Sequence, residues 1–358
     1  MLVRRYRLAE RIGSGGMSVV WRAHDAELDR DVAVKMPADP GAADPLLRDG
    51  IRAEAQVVAQ LAHPHVARVF DYGEMDAGSG DRVPFVVMEL LRGTPLSTIV
   101  ASDPLAPELA MRVCAQVAGG LAAVHTRGLV HRDVKPGNIM LTAGGAKVFD
   151  FGIAVPAGTV DGHGPDDVIL GTPAYLAPER LVGAAVSPAT DVYAVGVLLY
   201  QLLTQWLPWP ARTPSELMIA HIYERPADLP MIDGVHDKVR KLYRRCVAKD
   251  PEKRPAARDV AAILAAAVRI STPVLDATVD AWGGPAGPPP PSTSCTGGSA
   301  TRTLSSSKSD RGDLLQPEDL LHAEGVPTFL AASNPIPRQR QSTNTRRGSE
   351  RHLQGQKP

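Results

Sequence analysis

The chain has 358 residues, 44% of them hydrophobic but only 4% aromatic, so Ala, Val and Leu must supply most of its packing. Lysine plus arginine and aspartate plus glutamate both number 39, which removes any global electrostatic case for binding nucleic acid or an anionic membrane. Cys114, Cys246 and Cys295 are far apart and show no CxxC spacing, so neither a disulfide framework nor a zinc site is indicated and a reducing cytoplasm fits best.

In chain order, the first segment, MLVRRYRLAERIG, is rich in arginine but has no apolar run behind the charges, unlike a signal peptide. Alternating apolar residues predict strands over Tyr6 to Ile12, Val19 to Ala26 and Asp31 to Met36. A helix is predicted from Pro45 to Leu61, then strands over Val66 to Tyr72 and Val83 to Met88. From there helices dominate: Pro107 to Thr126, Pro188 to Leu203, Pro214 to Ile222, Val235 to Val247 and Ala256 to Val268. Pro107, Pro188 and Pro214 stand at helix starts, where a missing N–H costs nothing. The longest apolar runs, Val192 to Tyr200 and Val260 to Val268, are about half the roughly 18 residues of a membrane span. The pattern predicts an α+β chain with a small sheet-containing lobe, residues 1–91, and a larger helical lobe, residues 92–270. Residues 271–358 are rich in Pro, Gly, Ser and Arg, too poor in apolar surface to offset ordering entropy, and are expected to be a disordered tail.

Several stretches carry chemistry. GSGGMSVV, residues 13–20, lies between two predicted strands; its glycines suit a loop held close over phosphates, and equally an ordinary hairpin turn. No helix follows it, as a dinucleotide fold would require. In DVAVK, Ala33 and Lys35 share one strand face and Val32 and Val34 the other. Ile51, Glu54, Val58 and Leu61 fall on one helical stripe; a carboxylate there needs a cation, and Lys35 is the candidate. HRDVKPGN, residues 131–138, and KVFDFG, ending at Gly152, supply Asp133, Asn138 and Asp150. These hard oxygen donors suit a magnesium ion shared with substrate phosphates. GTPAYLAPE and DVYAVG then complete an ordered series.

With these motifs in order, over roughly residues 6–269, the chain resembles the Hanks-type protein kinases, most of all the bacterial eukaryotic-like serine/threonine kinases. The resemblance implies a two-lobed kinase fold and transfer of the γ-phosphoryl group of Mg²⁺-ATP, with Mn²⁺ as a substitute, to protein Ser or Thr hydroxyls, including the enzyme's own. It implies that Ile12, Gly13, Ser14, Gly15 and Gly16 cover the nucleotide and that Lys35, held by Glu54, meets its phosphates. It further implies that Val20, Ala33, Met88 and Met140 line the adenine pocket and that Glu89 and Leu91 supply hinge backbone groups. Asp133 would accept the hydroxyl proton, Lys135 would steady the phosphoryl group, and Asn138 and Asp150 would hold the metal. Lys135 with Thr172 is the serine/threonine pairing. The resemblance also implies that His131 packs beneath Phe151, that Asp191 holds the backbone of the HRD loop, and that Glu179 and Arg254 form a buried ion pair. Ser18 departs from the family pattern at the third glycine of GxGxxG. The expected partners are ATP and protein substrates, with no nucleic acid and no membrane span, and the family allows a kinase-domain homodimer. A pseudokinase or nucleotide-binding scaffold is the rival reading; it predicts loss of Lys35, Asp133, Asn138 or Asp150, and all four are present. The resemblance also implies phosphorylatable threonines several residues before the GT pair, where this chain has Asp166 and Asp167, and Thr159 is the one other hydroxyl between Phe151 and Thr172.

Overall fold

A computed structural model describes residues 5–14, 18–39, 45–76, 82–102, 104–150, 155–156 and 173–271. Gly15, Gly16, Phe151, Thr159, Asp166, Asp167, Thr172 and the tail beyond Ser271 lie outside the described residues, as does the side chain of Glu54.

Strand alternation builds the first lobe. β1 (Tyr6–Ser14), β2 (Ser18–Asp25) and β3 (Arg30–Pro37) are followed by α1 (Pro45–Val58), β4 (Val69–Asp76) and β5 (Arg82–Glu89). The strands form one antiparallel sheet in the order β1-β2-β3-β5-β4. Val32 and Val34 are sealed into a small core with Ala23, Phe85 and Val87. Ala33 and Lys35 therefore point from the opposite face. Residues directly opposite in an antiparallel pair share a face, and Val20 faces Lys35 while Ala33 faces Met88. One side of the sheet thus presents Val20, Ala33, Lys35 and Met88 together, and from it Lys35 reaches Asp150 of the second lobe.

The strand expected over Val66 to Tyr72 begins only at Val69. The preceding residues bond elsewhere: Ala67 N donates to Val148 O, and Val148 N to His65 O, each at 2.9 Å. His65 Nδ1 also lies 2.9 Å from Ala146 O. The HPH segment is thus a loop that ties the end of α1 to the second lobe, and Val58, Leu61 and Val66 pack there against Val124 and Leu129.

The second lobe opens with β6 (Gly93–Pro95), α2 (Leu96–Val100), α3 (Pro107–His125) and β7 (Leu129–Val130). β8 (Ile139–Thr142), β9 (Gly145–Val148) and β10 (Val155–Pro156) follow; β8 pairs with β6 and β9, and β10 pairs with β7. β9 ends in Lys147 and Val148 of the apolar KVFD run, where a strand is expected; the other short strands give no sequence signal, because a period of two needs about four residues to show. The rest is helical: α4 (Pro178–Leu181), α5 (Pro188–Thr204), α6 (Pro214–Tyr223), α7 (Asp237–Cys246) and α8 (Ala257–Ser271).

α5 is buried continuously from Thr190 to Tyr200, as its near-uniform apolar sequence predicts. A capping box between Ser187 and Thr190 starts it, with Pro188 in the first turn, and Gln205 in the left-handed region ends it. A Cβ at Gly196 would lie 2.7 Å from the Cβ of Cys246, so only glycine lets α5 and α7 approach this closely. α7 buries Val239, Leu242, Tyr243 and Cys246, a stripe at helical spacing. This frame gives the loop between β7 and β8 a rigid floor.

Candidate active site

The loop begins with a buried anchor. Asp191, in the first turn of α5 and 1% exposed, accepts hydrogen bonds from His131 N at 2.9 Å and Arg132 N at 2.8 Å. Its Oδ2 also lies 2.8 Å from His125 Nε2. Burial favours the neutral acid, yet the bonds from His125 and the backbone and the neighbouring histidines outweigh it and hold the Asp191 pKa below the usual carboxylate range. Arg132 has φ 71°, a region that residues bearing a Cβ rarely adopt. The Asp191 bonds keep it there.

His131 is fully buried, and burial lowers its pKa. The neutral ring fits its surroundings: Nδ1 accepts from Asp133 N at 3.3 Å, and Nε2 donates to Phe149 O at 3.3 Å. It links the loop to the strand end that carries Asp150. Phe149 N donates to Asn138 O at 3.0 Å and closes the same circuit. The expected packing of His131 beneath Phe151 falls on a residue outside the described ones.

Above this floor the polar groups converge. Asp133 Oδ2 accepts from Lys135 Nζ at 2.7 Å and from Asn138 Nδ2 at 2.8 Å. Asn138 Nδ2 also donates to Asp133 O at 2.8 Å. The Asp133 side chain is 43% exposed, so it is fixed by its neighbours but open to a substrate. Lys35 of the sheet lobe forms an ion pair with Asp150. Asp133, Lys135 and Asn138 thus form one cluster and Lys35 and Asp150 another, and the backbone bond from Phe149 N to Asn138 O ties the two together. The partner that the described residues give Lys35 is Asp150.

The remaining predicted site residues sit along the sheet and the linker. Ile12, Gly13 and Ser14 end β1, and Gly13 faces Val20. Met88 and Glu89 end β5, and Met140 on β8 faces Pro95. Glu89 has a structural engagement as well: its carboxylate accepts from Lys147 Nζ at 2.6 Å and from Arg68 N at 3.2 Å.

The donor set fits a hard divalent cation. Asn138 gives its nitrogen to Asp133, which leaves Oδ1 as its atom for a cation, and Asp150 supplies carboxylate oxygens. No group of three or more His, Cys, Asp or Glu that could hold a metal exists among the described residues. Two protein oxygens suit an ion that completes its shell with phosphate oxygens and water.

Two functional neighbours escaped sequence reasoning. His125 supports Asp191, and Arg180 Nη1 donates to Arg132 O at 2.6 Å. The available signal for Arg180 was its place directly after Glu179. Glu179 itself meets Arg254 in the expected buried pair, at 2.7 and 2.8 Å.

Comparison with known proteins agrees with this geometry. A family described as "Protein kinase domain" matches residues 6–263. Over 270 residues the chain is 39% identical to the serine/threonine-protein kinase PknA of Mycobacterium tuberculosis, covering 73% of this chain and 62% of that protein. It is 37% identical over 283 residues to the serine/threonine-protein kinase PksC of Streptomyces coelicolor, covering 76% and 51%. With the serine/threonine-protein kinase PknB of Mycobacterium leprae it shares 38% over 253 residues, covering 70% and 40%. The chain thus spans less than two thirds of the length of each of these relatives.

Proposed function

The chain belongs to the protein kinase domain family, and from that premise we propose that it is a serine/threonine protein kinase that transfers the γ-phosphoryl group of Mg²⁺-ATP to protein hydroxyls. The observations that support the reading are the Asp133, Lys135 and Asn138 cluster and the Lys35–Asp150 ion pair between the lobes. Phosphoryl transfer asks a protein for positioning and charge neutralisation more than for covalent chemistry, and this constellation offers both.

In this reading the acceptor hydroxyl lies against Asp133, which takes its proton as the oxygen forms its bond to the γ-phosphorus and ADP departs. Lys135, 2.7 Å from Asp133, faces the same space and offsets charge on the transferring group. Lys35 exchanges its contact with Asp150 for the nucleotide phosphates. A bound Mg²⁺ would neutralise phosphate charge, with Asn138 and Asp150 as its protein donors. Val20, Ala33, Met88 and Met140 enclose the base, while Glu89 and Leu91 present backbone groups to its edge. The serine/threonine preference rests on Lys135 with Thr172 and on the similarity to kinases of that name. A cytosolic setting is part of the reading and rests on Cys114 and Cys246, free thiols buried in the helical lobe. Among the described residues no helix is long and apolar enough to cross a membrane.

The test is transfer of labelled γ-phosphate to a Ser/Thr peptide by the purified chain with Mg²⁺. Asp133→Asn is expected to lower turnover by about 10²- to 10⁴-fold, the range of general-base catalysis. Undiminished transfer by a folded Asp133→Asn protein would remove Asp133 from this role.

A further inference from the structure

The peptide units on either side of Arg132 are held by two different elements. Its N–H goes to Asp191 of α5 at 2.8 Å, and its C=O accepts from Arg180 Nη1 of α4 at 2.6 Å. Both partners are ionised, and such bonds are shorter and stronger than neutral ones. Between them sits a backbone at φ 71°, so rotation at Arg132 is opposed from both ends. The residue that such a rotation would displace is Asp133.

Arg180 is itself fixed. α4 spans only Pro178–Leu181, and Glu179, next to Arg180, is gripped by Arg254 at 2.7 and 2.8 Å and by Thr190 Oγ1 at 2.9 Å. The short helix is thereby pinned to the start of α5, the element that also supplies Asp191. Burial lowers the Arg180 pKa, while Asp133, Asp191 and Glu179 act on the guanidinium in the opposite sense. It keeps its charge among three carboxylates.

We propose that Arg180 is a positioning residue for phosphoryl transfer: by holding the carbonyl of Arg132 it fixes the peptide that carries Asp133 and couples the end of the activation segment to the catalytic loop. The inference rests on the kinase reading and deepens it. Asp191 alone anchors the N–H side of Arg132. Arg180 makes the far side, and hence the aim of the Asp133 carboxylate, depend on whether α4 is seated.

The experiment compares wild type, Arg180→Met and Arg180→Lys for kcat, for KM of ATP and of peptide, and for melting temperature. Loss of positioning at the base is expected to lower kcat of Arg180→Met by about 10- to 100-fold, with KM for ATP within about twofold. Arg180→Lys keeps the charge and one donor and should fall between the two. Added guanidinium should return part of the rate to Arg180→Met and none to Asp133→Asn. Should Arg180→Met fail to fold, the same split between kcat and KM is required of Arg180→Lys. A wild type that turns over and an Arg180→Met protein that matches it would overturn the inference alone, as would kcat, ATP affinity and melting temperature falling in parallel. A wild type without any transfer would sink the kinase reading together with it.

Discussion

Arg254 sends both terminal nitrogens of its guanidinium to the carboxylate of Glu179, at 2.7 and 2.8 Å, with side-chain exposures of 0% and 7%. The same guanidinium donates to the carbonyls of Ala248, Ala189 and Lys249. Removing one member of a buried ion pair costs about 3–5 kcal/mol, because the partner is left uncompensated. Glu179→Gln keeps an acceptor and should fall at the lower end of that range. Arg254→Met strands three carbonyls and a carboxylate and should fall at the upper end or beyond it. Urea denaturation of both variants orders them, and equal stabilities would mean the carbonyl bonds contribute nothing.

Acid should destabilise the helical lobe before the carboxylates titrate. His221 is fully buried at the end of α6, with Nδ1 2.8 Å from the Tyr193 hydroxyl, its ring 4.2 Å from that of Trp209, and Lys249 Nζ bonded to its carbonyl. Burial, helped by the Lys249 charge, lowers its pKa to about 4. An unfolded histidine titrates near about 6.5. Between those values the unfolded chain takes up a proton that the folded one refuses, so stability is full above about pH 6.5 and is lost as pH falls toward about 4, by up to about 3 kcal/mol. His131, shifted in the same direction, adds to the slope. His221→Gln should flatten the pH dependence in this window while leaving the steeper loss at lower pH, where Asp191 is protonated. An unchanged slope would assign the effect elsewhere.

The sequence made the frame of this site legible for physical reasons. The alternation of DVAVK placed Lys35 on the face opposite Val32 and Val34, and the prolines marked the starts of α3, α5 and α6. The family resemblance, not spacing, implied that Asp191 holds the HRD backbone and that Arg254 meets Glu179, and both contacts are present. What it did not show is contact between elements that carry no shared period. The Arg180 bond to Arg132 joins a four-residue helix to a loop, and the Tyr193, His221 and Trp209 cluster joins three segments far apart in sequence. Val66 looked like strand because its apolar neighbours alternate, yet its backbone partner is β9.

Metal dependence should separate the two members of the Lys35–Asp150 pair. Chelation is expected to abolish transfer and added Mg²⁺ to restore it. Asp150→Asn removes a cation donor and should raise the Mg²⁺ concentration for half-maximal rate as well as lowering turnover by at least about 10²-fold. Lys35→Met removes a phosphate contact and should lower turnover with little change in the Mg²⁺ midpoint. Identical metal titrations for the two variants would argue that Asp150 does not hold the ion.

The final expectation concerns the activation segment, where the family resemblance implies phosphorylatable threonines shortly before the GT pair and this chain carries Asp166 and Asp167. A phosphothreonine brings about −1.5 to −2 charges and three acceptor oxygens, and two adjacent aspartates nearly equal that charge without its geometry. The receiving group in this reading is the Arg132 guanidinium, one residue before Asp133; the Arg132 carbonyl is already taken up by Arg180 at 2.6 Å. An exposed pair between carboxylate and guanidinium contributes about 0–1 kcal/mol, a factor of up to about five in a two-state population. Enzyme treated with phosphatase should therefore keep most of its initial rate. The double substitution Asp166→Asn with Asp167→Asn should lower that rate by about two- to fivefold, and raising the salt concentration should do so too, because salt screens a charge pair of this kind. Complete inactivation by phosphatase, reversed by phosphorylation at Thr159, would assign the switch to that threonine and leave the aspartates without this role.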